Sequence, residues 1–220
     1  MAVLLHIDTA GTLGSIAVSN ENEVLIEKQN SNQMDHATWI HTAIEEALQT
    51  IDRTLSALDA CSVTIGPGSY TGLRVGLSTA KGYCYALQKP LITIPTLQLM
   101  ASVIHAEPSS WICPMIDARR MEVYTSLYDY SLTELSAASA KVIEGIPFEE
   151  ELSGRTLCYF GDGAGKCTTV FGASSKTHFI EEYRMNAFQL AVPAAEDFLA
   201  GRFAHTALYE PFYLKEFVAG

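Results

Sequence analysis

Ile112-Cys113-Pro114-Met115-Ile116-Asp117 is the stretch on which the fold turns. It reads as an apolar strand ending in a carboxylate. A short turn, Ala118 to Met121, carries it into a second strand-like run, Glu122–Tyr128. The chain opens in the same way. Val3–Asp8 is a buried-strand pattern ending in Ile7-Asp8, and Thr9–Leu13 makes a turn around Gly11. Ser15–Ser19 and Val24–Lys28 follow as strands, separated by the turn Asn20-Glu21-Asn22. Two hairpins that each begin with a strand ending in Ile-Asp predict an internal duplication. The competing reading is coincidence, because the dipeptide is common at strand ends.

Between the two hairpins the period changes. In Gln33–Ile51 apolar residues recur at three and four positions (Ala37, Ile40, Ile44, Ala47, Leu48, Ile51), which predicts an amphipathic helix. Ala60–Ile65 reads as a strand, Gly66–Gly72 as a turn, Leu73–Leu87 as a helix and Leu91–Ile94 as a strand. A meander followed by alternating helices and strands predicts a mixed sheet with helices on its faces. Farther on, Ser131–Gly154 is polar and irregular, and Thr156–Phe160 reads as a strand leading into Gly161-Asp162-Gly163. Ala187–Ala200 reads as a helix, and the aromatic tail Glu210–Phe217 is expected to pack.

Composition narrows the function. With 48% hydrophobic and 18% charged residues among 220, the chain can bury a sizeable core and is not disordered. The formal charge of −11 repels a phosphate backbone, so tight nucleic-acid binding by this chain alone is excluded. The only adjacent basic pair is Arg119-Arg120. Five cysteines without a CxxC spacing predict free thiols in a reducing cytoplasm rather than a disulfide framework or a zinc site. Val3-Leu4-Leu5 is too short for a signal peptide, and no run approaches the roughly 20 apolar residues of a membrane helix.

Several motifs invite a chemical reading. Gly66-Pro67-Gly68-Ser69-Tyr70-Thr71-Gly72 lies between a strand and a helix, where backbone N–H groups can hold an anion. It fits neither the dinucleotide nor the Walker spacing, and on physical grounds a tight crossover turn capped by Thr71 is the favoured reading. Gly161-Asp162-Gly163-Ala164-Gly165-Lys166-Cys167 resembles a phosphate loop, but its glycines are too close together. Asp8 and Thr9, at a strand end, are candidates to face a nucleotide and its Mg²⁺; closing the turn is the alternative. His36 and His41, five apart, point about 140° from each other and chelate poorly. No HExxH, HxxxH or GxSxG occurs. Gly72, Gly76, Ala80 and Cys84, spaced by four, line one helix face with small residues. That face either packs on the chain's own sheet or admits a partner helix, with Trp39 as an anchor off the main apolar stripe.

The run Ile65 to Gly76, with Lys81-Gly82, closely resembles the signature of the TsaB (YeaZ) family of tRNA threonylcarbamoyladenosine synthesis. Ile7-Asp8-Thr9, Ile116 to Arg120 with Glu122-Val123-Tyr124, Gly161-Asp162-Gly163, and Pro211 with Tyr213-Leu214-Lys215 follow in family order. Lys215 stands where Arg is usual, a mild departure. The resemblance implies an actin-like (ASKHA, ribonuclease H-like) duplicated α/β fold. Its lobes would be residues 1–105, joined by the returning segment 188–220, and a reduced second lobe at 106–187. It implies a non-catalytic paralogue of the transferase TsaD, acting with the ATPase TsaE, and with tRNA only through the complex. Such a chain would be free of membrane; for the isolated chain a homodimer and a monomer are both open. ATP or ADP would belong to the complex interface and no cofactor to the isolated chain. TsaD holds a metal with a histidine pair; here that stretch reads Thr96-Leu97-Gln98-Leu99-Met100-Ala101, and His105 stands alone. An ATP-dependent kinase or hydrolase using Asp8 is the alternative, and a peptidase a more distant one. The interface expected with TsaD comprises Trp39, Ile40, Gly72, Gly76, Ala80, Tyr83 and Cys84. The motif loop comprises Gly66, Pro67, Gly68, Ser69, Tyr70, Thr71 and Arg74.

Overall fold

A computed structural model of the chain describes residues 1–32, 35–152, 154–172 and 174–215. In chain order its elements are β1 (Val3–Asp8), β2 (Gly14–Asn20), β3 (Glu23–Asn30), α1 (His36–Thr50), β4 (Ala60–Thr64), α2 (Tyr70–Leu87), β5 (Leu91–Ile94) and α3 (Thr96–Ser102). Then come β6 (Ser110–Asp117), β7 (Glu122–Tyr128), β8 (Glu134–Val142), β9 (Thr156–Phe160), α4 (Thr168–Phe171), β10 (Thr177–Ile180) and α5 (Ala191–Leu199). They divide into two compact units, residues 1–96 with 185–212, and residues 97–184 with 213–215.

The first unit is built on a sheet of order β3-β2-β1-β4-β5. β1 pairs antiparallel with β2 and parallel with β4, as a meander followed by a crossover helix requires. Alternation along β1 sends Leu5 and Ile7 to one face, where they join Ile40, Ile44 and Leu48 of α1 and Leu77, Ala80 and Cys84 of α2 in one core. α5 and the 3-10 turn Ala187–Leu190 before it pack on β1. The Ala187 N–H donates to Ser15 Oγ on β2 at 2.8 Å.

The second unit repeats the plan. Its sheet has the order β10-β9-β6-β7-β8. Counted from its own first strand this is again 3-2-1-4-5, with the first pair antiparallel and the next parallel. Cys113, Met115, Val123, Leu127 and Tyr159 form its core with Phe148, Leu152 and Phe171. The hairpin repeat therefore marks a true duplication, and the chain is an actin-like α/β fold of two mixed sheets flanked by helices.

The structure departs from the sequence reading at several elements. α2 begins at Tyr70, not Leu73, because Ser69 Oγ accepts from the Gly72 N–H and starts the helix earlier. The expected start of α1 at Gln33 lies outside the described residues, as does Phe217 in the tail. β8 occupies part of the segment read as irregular. Its sequence, Glu134-Leu135-Ser136-Ala137-Ala138-Ser139-Ala140, has little strand propensity, and pairing with β7 overrides it. Residues 97–105, expected in the first lobe, group with the second unit, where Met100 lies against Gly161. Lys215 does so too, through an ion pair with Glu122.

Candidate functional site

In the first unit the motif loop closes on the turn after β1. The Ser69 N–H donates to the Ala10 carbonyl at 2.7 Å, and Thr9 Oγ1 donates to the Gly72 carbonyl at 2.7 Å. The contact leaves no room for a side chain at the glycines that face it. A Cβ on Gly72 would sit 1.9 Å from the Thr9 carbonyl oxygen, and one on Gly76 would sit 2.5 Å from Thr9 Oγ1. Gly66, at φ 117°, lies under the tail: a Cβ there would meet the Phe212 carbonyl oxygen at 2.3 Å. The Phe212 N–H donates to the Ile65 carbonyl at 2.7 Å. The Gly66 N–H is taken by Thr96 Oγ1 at 3.0 Å. Pro67 follows through a cis peptide bond. Arg74 stacks over the Tyr70 ring at 4.2 Å. The amides of Gly66, Ser69 and Gly72 are thus satisfied within the chain, and the loop is clasped onto the turn after β1.

That clasp corrects the reading of Asp8 and Thr9 as nucleotide-facing. Both are buried, at 0% and 1% exposure. Asp8 Oδ1 accepts from Thr64 Oγ1 at 2.7 Å and from the Ala10 N–H at 3.1 Å, while Oδ2 has no partner among the described residues. Burial pushes the carboxyl up to about 6 from its usual 3.8, and the two hydrogen bonds only partly oppose this. Two residues earlier on β1, His6 is also fully buried. Ser19 spends its proton on the Glu21 carbonyl at 2.6 Å, so His6 Nε2–H donates to Ser19 Oγ and Nδ1 accepts from Ser62, both at 2.7 Å. Burial drops this imidazole to about 3, so it stays neutral. Nothing in the sequence marked His6 beyond its place in an apolar run.

A carboxyl raised on folding stabilises the fold at low pH, where it is protonated, and loses that contribution as pH climbs from 3.8 toward 6. Asp8→Asn removes the penalty. At about 1.4 kcal/mol for each pH unit between those values, the variant should be more stable than the parent by about 2–3 kcal/mol at pH 8, and by little at pH 4. Urea melts of both proteins at the two pH values check this. A variant destabilised equally at both would show that the carboxylate is needed ionised.

The expected partner face is corrected as well. Ile40, Gly72, Gly76, Ala80 and Cys84 are all buried, and Ala80 is at 0% exposure. The small residues exist because α2 lies close on β1 and β4: the Cβ position of Gly76 falls within 3.5 Å of Val63 and Ile7. Trp39 and Tyr83 are half-buried, and the Tyr83 hydroxyl meets His41 Nδ1 at 3.2 Å. The open side of α2 carries Thr71, Ser78, Gly82, Tyr85 and Ala86, with Val75 half-buried beside them. A Cβ on Gly82 would meet nothing within 4 Å. Along Val75, Ser78, Gly82 and Ala86 the open side is again small, with the exposed Arg74 and Tyr85 beside that line, and it is displaced around the helix from the stripe the spacing suggested.

In the second unit the hairpin after β6 is bound to the glycine loop after β9. The Asp117 N–H donates to Asp162 Oδ1 at 2.9 Å, and the Gly163 N–H donates to the Met115 carbonyl at 3.1 Å. Lys166 donates to Asp117 Oδ1 and, at 2.6 Å, to the Glu122 carbonyl. Its ammonium thus serves the hairpin, which accounts for the phosphate-loop look of this stretch. Arg119 and Arg120 at the hairpin tip are exposed and left-handed, at φ 68° and 49°. Such backbone costs a residue with a Cβ about 1–2 kcal/mol. Among the described residues no group of three His, Cys, Asp or Glu side chains could hold a metal ion, and no helix is long and apolar enough to cross a membrane.

A family model described as TsaD, tRNA N6-adenosine threonylcarbamoyltransferase, matches residues 23–158. The tRNA threonylcarbamoyladenosine biosynthesis protein TsaB of Bacillus subtilis is 34% identical over 128 residues, which cover 58% of this chain and 55% of that protein. TsaB of Escherichia coli is 31% identical over 126 residues, 57% of this chain and 54% of that one. The aligned segment thus spans about half the length of the curated relatives it matches. The structure of YeaZ from Pseudomonas aeruginosa superposes with a TM-score of 0.80 over 97% of this chain and 100% of that one, at 23% identity, and so shares the fold. The family match takes in β3, α1 and α2 of the first unit and reaches into the second, and on it the chain belongs to the TsaB (YeaZ) family of tRNA N6-adenosine threonylcarbamoyltransferase relatives.

Proposed function

We propose that this chain is a non-catalytic subunit in the formation of N6-threonylcarbamoyladenosine on tRNA, in the cytoplasm. Its work is to associate with a TsaD-type transferase and hold it in an active arrangement, with TsaE and tRNA joining the assembly. The observation that carries the reading is the family match across α1 and α2, residues 23–158. What supports it in the geometry is the burial of Asp8, sealed from solvent and closed on Thr64 and the Ala10 N–H. This also weighs against the kinase or hydrolase reading, which needs a reachable carboxylate on a metal. ATP or ADP is assigned to the assembled complex.

The surface proposed for the transferase is the open side of α2 with the rim of α1: Val75, Ser78, Gly82 and Ala86, flanked by Trp39 and Tyr83. Small residues there let a second helix come close, so that packing extends across the pair. A second copy of this chain is the alternative occupant when no transferase is present. Gly82→Arg tests the assignment without touching the core, because the position is open and Arg is the better helix former. The variant should keep or raise its melting temperature. Its affinity for the transferase, read by sedimentation or calorimetry, should fall at least about tenfold. Unchanged affinity in the folded variant would refute this face.

A further inference from the structure

Arg119 and Arg120 close one of the stretches that carry the family resemblance, but the functional reading above gives their side chains no contact. They are the only adjacent basic pair in a chain of net charge −11. They stand where a hairpin ordinarily uses Asn or Gly, since both have left-handed backbone. Two long cationic side chains held against that preference, at an exposed tip, are a local rule broken, and such breaks gather at functional positions.

The surroundings leave the two guanidiniums free to act. Each carboxylate near the tip is engaged elsewhere. Asp117 accepts from Lys166 and from the Arg119 N–H, Asp162 accepts from the Asp117 N–H, and Glu122 pairs with Lys215. Among the described residues neither Arg side chain has an ion pair or a ring contact. The tip is also braced. The Ala118 N–H donates to the Glu122 carbonyl at 3.1 Å, and the Glu122 N–H donates to the Arg119 carbonyl at 3.2 Å.

We propose that the Arg119-Arg120 tip is the point at which this chain touches RNA, each guanidinium taking one backbone phosphate of the tRNA held by the assembled complex. The inference rests on the functional reading above and names the contact it lacks. The planar fork of Arg matches the oxygens of a phosphodiester. An otherwise acidic surface repels a polyanion, so it admits RNA only at a local cationic point of this kind.

The test uses the complex of this chain with its transferase and a labelled, unmodified tRNA transcript, titrated at several KCl concentrations. Arg119→Asn/Arg120→Gly suits the left-handed turn, so the variant chain should melt at the same temperature or a few degrees higher. Its complex should assemble normally but bind the transcript about tenfold more weakly near 0.1 M salt. The slope of log affinity against log salt should shrink by about 1.4–1.8, two phosphates' worth. An unchanged slope and affinity in an assembled variant complex would overturn the proposal. Loss of assembly would overturn it in favour of a contact with an acidic protein surface, and competition by excess ATP would overturn it in favour of a nucleotide. Failure of the parent chain to assemble with the transferase would refute the functional reading, and this inference with it.

Discussion

Gly72→Ala should cost the fold more than about 3 kcal/mol, a large share of the roughly 5–15 kcal/mol that holds an ordinary domain folded. The added Cβ would lie 1.9 Å from the Thr9 carbonyl oxygen, a distance at which backbone must move. Neither side can give easily. Thr9 is held by β1 and by its bond to the Gly72 carbonyl, and Gly72 sits in the first turn of α2, whose start Ser69 fixes. The paired measurement is Gly82→Ala in the same helix. There the new methyl meets nothing within 4 Å, and replacing a mid-helix glycine should stabilise by up to about 1 kcal/mol. Urea denaturation of both variants separates close approach from helix propensity, because propensity alone predicts a gain at each.

Ala80→Arg should be as damaging. Ala80 is at 0% exposure in the core that α2 shares with α1 and β4, so the substitution places a guanidinium where no carboxylate or water can reach it. An unpaired charge there costs several kcal/mol, on top of the volume forced into a packed core. Loss of the far-ultraviolet helical signal, or a melting temperature lowered by ten degrees or more, is the expected result. A variant that folds normally would place Ala80 on the surface. The contrast with Gly82→Arg, two residues on, maps which side of α2 is core.

Those two positions also show where the sequence could be read and where it could not. The hairpin repeat at Ile7-Asp8 and Ile116-Asp117 was legible because strand alternation and a carboxylate at the strand end recur without help from tertiary context. The small-residue stripe of α2 was equally visible, but spacing says only that something approaches closely. That the approaching body is the Thr9–Ala10 turn depends on the crossover that lays α2 along β1, which no local pattern encodes. The same blindness hid β8, whose Ser and Ala residues become a strand only beside β7. His6 was hidden by the apolar run around it, since its partners Ser19 and Ser62 lie on neighbouring strands.

The central claim is that this chain supports the transfer chemistry of a partner and performs none itself. The direct measurement is reconstituted modification of an unmodified tRNA, with threonylcarbamoyl-adenylate as donor, the TsaD-type transferase and TsaE, read as N6-threonylcarbamoyladenosine in the hydrolysed RNA. The account predicts product when the transferase and this chain are both present, little when this chain is omitted or carries Gly82→Arg, and none from this chain alone. Product formed by this chain without the transferase, or a transferase indifferent to its presence, would contradict it.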